Sequence, residues 1–120
     1  MNFNDSLKLK MHLYVKAVYK CSKLFPGDEL YGITSQLRRS SMSVVLNFIE
    51  GFARRKGPEC ADFKNFVRLS YGSLKESEYI IYFCLTENYI NRDAYDELSK
   101  QANEIGAMLY GILEKTKLQK

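Results

Sequence analysis

Six polar residues, Gln36, Ser40, Ser43, Asn47, Glu50 and Arg54, follow one another at intervals of four, three, four, three and four. That spacing puts them on one stripe of a helix. Leu37, Val44, Val45, Phe48, Ile49 and Phe52 fill the other faces, and arginine pairs stand near both ends. A polar stripe bordered by apolar surface, where a helix would normally bury something, implies a contact that is specific as well as stable.

The rest of the chain repeats the helical period. Leu7, Met11, Tyr14, Val15, Val18 and Cys21 mark a first helix over roughly Asp5 to Leu24, ended by Phe25-Pro26-Gly27-Asp28. The second helix starts between Asp28 and Thr34, either of which suits an N-cap, and ends near Arg55. Lys56-Gly57-Pro58 makes a tight break, with proline near the first position of the third helix. Glu59 and Asp62 suit the positive start of that helix. Phe63, Phe66, Val67, Ser70, Leu74 and Ile81 form its inner face, and it ends near Glu87. Asn91 is the expected N-cap of a fourth helix carrying Tyr95, Leu98, Ala102, Ile105, Leu109 and Ile112, which frays at Lys115-Thr116-Lys117. Short connections make neighbours antiparallel. The reading is an all-α, up-down-up-down four-helix bundle, one domain over residues 1–120.

At 46% hydrophobic residues the chain can build a core at this size. No signal peptide and no bilayer-length apolar run is visible, so the expectation is a cytoplasmic protein without membrane contact. Cys21, Cys60 and Cys84 are odd in number and lack Cys-x-x-Cys spacing, which reads as reduced core thiols.

Tyr79-Ile80-Ile81-Tyr82-Phe83-Cys84-Leu85 is apolar around nearly two turns. A helix without a wet face must be covered from outside its own bundle. Ala102, Gly106, Ala107 and Gly111 are small enough to admit another helix. Together they predict a homo-oligomer.

Several segments resemble the bacterial four helix bundle protein family, also called 23S rRNA intervening-sequence proteins. They are Phe25-Pro26, Tyr31-Gly32-Ile33-Thr34-Ser35-Gln36-Leu37-Arg38-Arg39-Ser40, Asn47-Phe48-Ile49-Glu50-Gly51-Phe52-Ala53-Arg54 and Gly72-Ser73-Leu74-Lys75-Glu76. The resemblance covers nearly the whole chain in order and spacing. This chain has Ser40 where the pattern has alanine, Phe48-Ile49 for Ile-Ala, and Ser70 for the alanine before Gly72-Ser73. The resemblance implies a ring-like oligomer, with pentamers as precedent, and little about activity. A relative, the accessory protein of diversity-generating retroelements, is a basic pentamer that binds nucleic acid and a reverse transcriptase.

Little chemistry is visible. His12, the only histidine, sits among Lys8, Lys10 and Lys16, and no phosphate-binding glycine loop or Glu-x-x-His motif occurs. In an antiparallel pair turning near residue 56, facing positions sum to about 112. That brings Glu76 near Arg39 and leaves Glu50 one turn before Arg54. The expectation is two structural pairs, Arg39 with Glu76 buried or half-buried and Glu50 with Arg54 or with a backbone or arginine group nearby, and no catalytic, cofactor or metal site. The chain reads as no enzyme.

The net charge of +4 is uneven. Residues 1–27 hold five Lys against one acid, and residues 38–68 seven Lys/Arg against three, while residues 69–104 hold three against seven. Basic residues in the first half, repeated around an oligomer, suit an anionic partner. Lys16, Lys20, Arg54, Arg55 and Lys56 are the expected contacts to the backbone of RNA or DNA, with a nucleic-acid-processing enzyme as a possible further partner. The alternative is an oligomeric scaffold that binds protein only.

Overall fold

A computed structural model describes residues 1–55 and 61–118, with side chains as far as Lys115. Four helices make up the fold: α1 (Phe3–Ser22), α2 (Ser35–Ala53), α3 (Ala61–Thr86) and α4 (Arg92–Leu118). No strand occurs among the described residues. Contacts run α1 to α2, α2 to α3, α3 to α4 and α4 back to α1, which closes a four-helix bundle. The direction of α3 follows from two contacts: Ser70 meets Val44, and Glu76 meets Arg39, so α2 numbers fall as α3 numbers rise.

The elements begin and end for local reasons. Asn2 caps α1, its Oδ1 accepting the Asp5 N–H at 2.8 Å, and Asn91 caps α4 in the same way through Ala94. The connection before α2 differs from either expected cap. Thr34 has helical backbone angles and no capping bond, and Asp28 lies in a 3-10 turn over Gly27–Glu29. Glu29 caps instead, accepting the Ile33 N–H at 3.3 Å within a π-helical turn over Leu30–Thr34. Gly32 has non-helical backbone angles there, and a Cβ on it would lie 2.6 Å from the Glu29 carboxylate. Position 32 therefore breaks the helix and leaves room for the cap. At the far end of α3, Asn88 adopts φ 60°, and the Tyr89 and Asn88 N–H groups return to Cys84 O and Leu85 O. That is a Schellman ending with asparagine at the left-handed position. α4 continues to Leu118, past the expected fraying point at Lys115. Lys56-Gly57-Pro58, Glu59 and Cys60 lie outside the described residues.

Leu7, Met11, Tyr14 and Val18 of α1 meet Leu37, Val44 and Phe48 of α2, Val67, Leu74 and Ile81 of α3, and Ile105 and Leu109 of α4 in one core. The segment expected to be apolar all round is largely absorbed by it. Ile80, Ile81 and Cys84 are buried, and Tyr79 and Tyr82 keep 66% and 52% of their surface exposed. The small residues of α4 divide similarly. Ala102 and Gly106 face the core, Gly106 against Leu74, whereas Ala107 and Gly111 are exposed.

Candidate nucleic-acid interface

The polar stripe of α2 lies along the α3 seam. Ser40 is buried and donates to Leu37 O, and Asn47 is half-buried and donates to Ser43 O. From the other side, buried Ser70 donates to Val44 O at 2.6 Å. Gly51 permits the approach, because a Cβ there would sit 2.6 Å from Phe66 Cβ and 3.4 Å from Phe63 O. Hydroxyls that bond carbonyls, and a glycine where rings approach, let two backbones close without stranded polar groups. Two ion pairs flank the seam. Arg39 binds both Glu76 and Gln36, and Arg54 binds Glu50 at 2.7 Å. The side chains of Arg39 and Glu76 are 56% and 47% exposed, so this pair bridges the two helices from the surface rather than from the interior.

Cations collect where α1 begins, α2 ends and α3 begins. Residues 1–10, 48–55, 61–68 and 111–115 hold seven Lys/Arg against four acids, while residues 18–38 and 79–98 at the opposite end hold four against six. Arg55 lies 5.6 Å from the Phe52 ring centroid and 5.2 Å from that of Phe63. Arg54 lies 5.3 Å from Phe66, and Lys8 Nζ reaches across from α1 to lie 4.7 Å from Phe52. An aromatic face attracts a cation without using up its N–H donors.

The five expected contacts are not gathered in one place. Arg54 and Arg55 sit at the basic end, both exposed. Lys16 and Lys20 are exposed on α1, two and three turns beyond Lys8, so Lys20 stands about 18 Å along the axis from the level of Phe52. Lys56 lies outside the described residues. Arg38 is held by its Nε donating to Ser22 Oγ at 2.8 Å and by the Tyr19 ring. Sequence reasoning missed the aromatic supports. The Phe52–Arg55 spacing of three was a legible signal, but Lys8 reaches Phe52 from a different helix and leaves no local trace.

Other chemistry is sparse. No group of three or more His, Cys, Asp or Glu that could hold a metal occurs among the described residues. No helix among them is long and apolar enough to cross a membrane. Burial pushes the Cys21 thiol up to about 11 and the Cys84 thiol to about 12, which suppresses thiolate at neutral pH.

Antiparallel helices, a polar seam between the second and third, and charge segregated to one end define a small all-α bundle protein. The family model described as 23S rRNA-intervening sequence protein matches residues 6–111, and the chain belongs to that family. A solved structure from Bacteroides thetaiotaomicron, of a protein with unknown function in the S23 ribosomal protein family, is 23% identical to it. The match covers 89% of this chain and 97% of that one, with a TM-score of 0.79, a likeness of fold. No curated protein matches.

Proposed function

We propose that the protein is a non-catalytic accessory protein that binds the phosphate backbone of RNA or DNA through its basic end, and works as a homo-oligomer. The observation that supports this best is the seating of Arg54 and Arg55 on the Phe52, Phe63 and Phe66 rings. Guanidinium groups held in place lose less freedom on meeting a phosphate than mobile ones do. Lys16 and Lys20 extend the positive surface along α1, and Lys56 adds charge to the same chain segment as Arg54 and Arg55. Assembly would multiply such contacts. The exposed Tyr79 and Tyr82 on α3, with Ala107 and Gly111 on α4, favour assembly because they leave apolar and small surface uncovered in one copy. The family's name refers to 23S rRNA, which makes RNA the first ligand to test. A cytoplasmic location and a nucleic-acid-processing enzyme as partner belong to this reading.

Backbone binding is sequence-poor and salt-dependent. Titrating labelled RNA and DNA of unrelated sequences at low and moderate salt should give similar affinities that fall together as salt rises. Absence of binding at low salt would transfer the protein to the scaffold reading. Light scattering at micromolar concentration tests assembly, and a monomer near the chain mass of 13.9 kDa refutes it.

A further inference from the structure

Lys8 is one of the cations at the basic end that the proposed contacts leave unused. It is half-buried on α1, and its Nζ lies 4.7 Å from the Phe52 centroid. Arg55 approaches the same ring at 5.6 Å and also lies against Phe63. Two charges on one ring at those distances stand within about 10 Å of each other. Like charges repel, so bringing them together costs free energy. An ordinary surface offsets that cost with a carboxylate, as Lys10 has in Glu104, Arg39 in Glu76 and Arg92 in Asp96. Neither Lys8 nor Arg55 has an acidic partner among the described residues, although Asp5 and Asp62 lie on the same two helix starts. Their supports are aromatic faces, which hold position and leave every N–H donor open.

We propose that Lys8 and Arg55 form a phosphate-binding site, with Phe52 as the positioning residue that holds both cations at it. The ligand class is a phosphodiester, and the proposal rests on the nucleic-acid reading above. It makes Lys8, rather than the more exposed Lys16 or Lys20, the lysine of α1 that carries affinity. Arg55 supplies a planar fork and Lys8 a point charge, two donors within reach of the same stretch of phosphodiester backbone.

The test is fluorescence anisotropy with a fluorescein-labelled mixed-sequence single-stranded RNA, over a salt series, on the full chain. Lys8→Gln and Arg55→Gln should each weaken binding by about tenfold and lower the slope of log affinity against log salt by about 0.7. Phe52→Leu keeps every charge and should still weaken binding several-fold, while Phe52→Tyr restores the ring face and the affinity. Lys16→Gln should change affinity less than Lys8→Gln. Parent-like binding by Lys8→Gln, or by Phe52→Leu at unchanged helicity, overturns the site and leaves the nucleic-acid reading standing. If the parent binds no nucleic acid, that reading fails, and titration with inorganic pyrophosphate followed by NMR of the Arg55 Nε–H decides the site separately. A shift lost in Phe52→Leu supports it, and no shift overturns it.

Discussion

The Tyr14 hydroxyl lies 2.7 Å from Ser77 Oγ, joining α1 to α3 through the middle of the bundle. Ser77 already donates to Leu74 O at 2.7 Å, so its single proton is committed and Tyr14 is the donor between them. Both residues are fully buried. Burial pushes the Tyr14 phenol well above its usual range, which keeps that proton in place.

The direction of this bond predicts unequal mutants. Tyr14→Phe removes the donor and leaves Ser77 its bond to Leu74, at a cost of about 1 kcal/mol. Ser77→Ala leaves a buried phenol with no acceptor and should cost about 1–3 kcal/mol. Urea denaturation of both variants and the double mutant checks this. A larger loss for Tyr14→Phe would mean that the donor assignment is reversed.

Two glycines should respond with opposite signs. At Gly51 a new Cβ would meet Phe66 Cβ at 2.6 Å, so α2 and α3 must spread. Gly51→Ala should lose about 1–3 kcal/mol to overpacking, despite alanine's better helix propensity. At Gly72 a Cβ meets nothing within 4 Å. Gly72→Ala in the interior of α3 should gain about 0.5–1 kcal/mol. Thermal melts at concentrations where the assembly state is unchanged separate the two.

These residues mark what could be read in advance. Helical period and local breaks located all four helices, because each helix carries its own inner face. Antiparallel register located Glu76 near Arg39, because one turn fixes one sum of positions, and the spacing of four on one helix located Glu50 near Arg54. Four features were not legible. The cap by Glu29 depends on a π-helical turn with Gly32 pressed against the carboxylate. The Tyr14–Ser77 bond and the Lys8–Phe52 contact join side chains from helices that no short loop connects. The pairing of Arg39 with Glu76 was legible, but its depth was not, since depth depends on how both long side chains leave the seam.

That depth sets the size of a third prediction. Removing one member of a buried pair costs about 3–5 kcal/mol. With roughly half of each side chain in water, Glu76→Ala should instead cost about 0.2–1 kcal/mol, and less at high salt. A loss above about 3 kcal/mol in denaturant titration would place the pair under further cover, as assembly through the α2–α3 face would provide.

The last prediction concerns pH. Tyr89 donates to Glu29 Oε2 at 2.9 Å, tying the turn after α3 to the connection before α2, and its ring lies 5.8 Å from Phe25. The bond to the Glu29 carboxylate, with desolvation, pushes the Tyr89 phenol up to about 12. An unfolded tyrosine titrates near 10. Because the folded value is the higher one, the bond's contribution is fully present below about pH 10 and is lost as pH rises through about 12. Tyr89→Phe should therefore be less stable than the parent at pH 8, and the gap should narrow at pH 11. Denaturant melts of the two proteins at both pH values measure it. The absence of a gap at pH 8 would show that Tyr89 acts through its ring against Phe25, which phenylalanine keeps, and not through the proton it gives to Glu29.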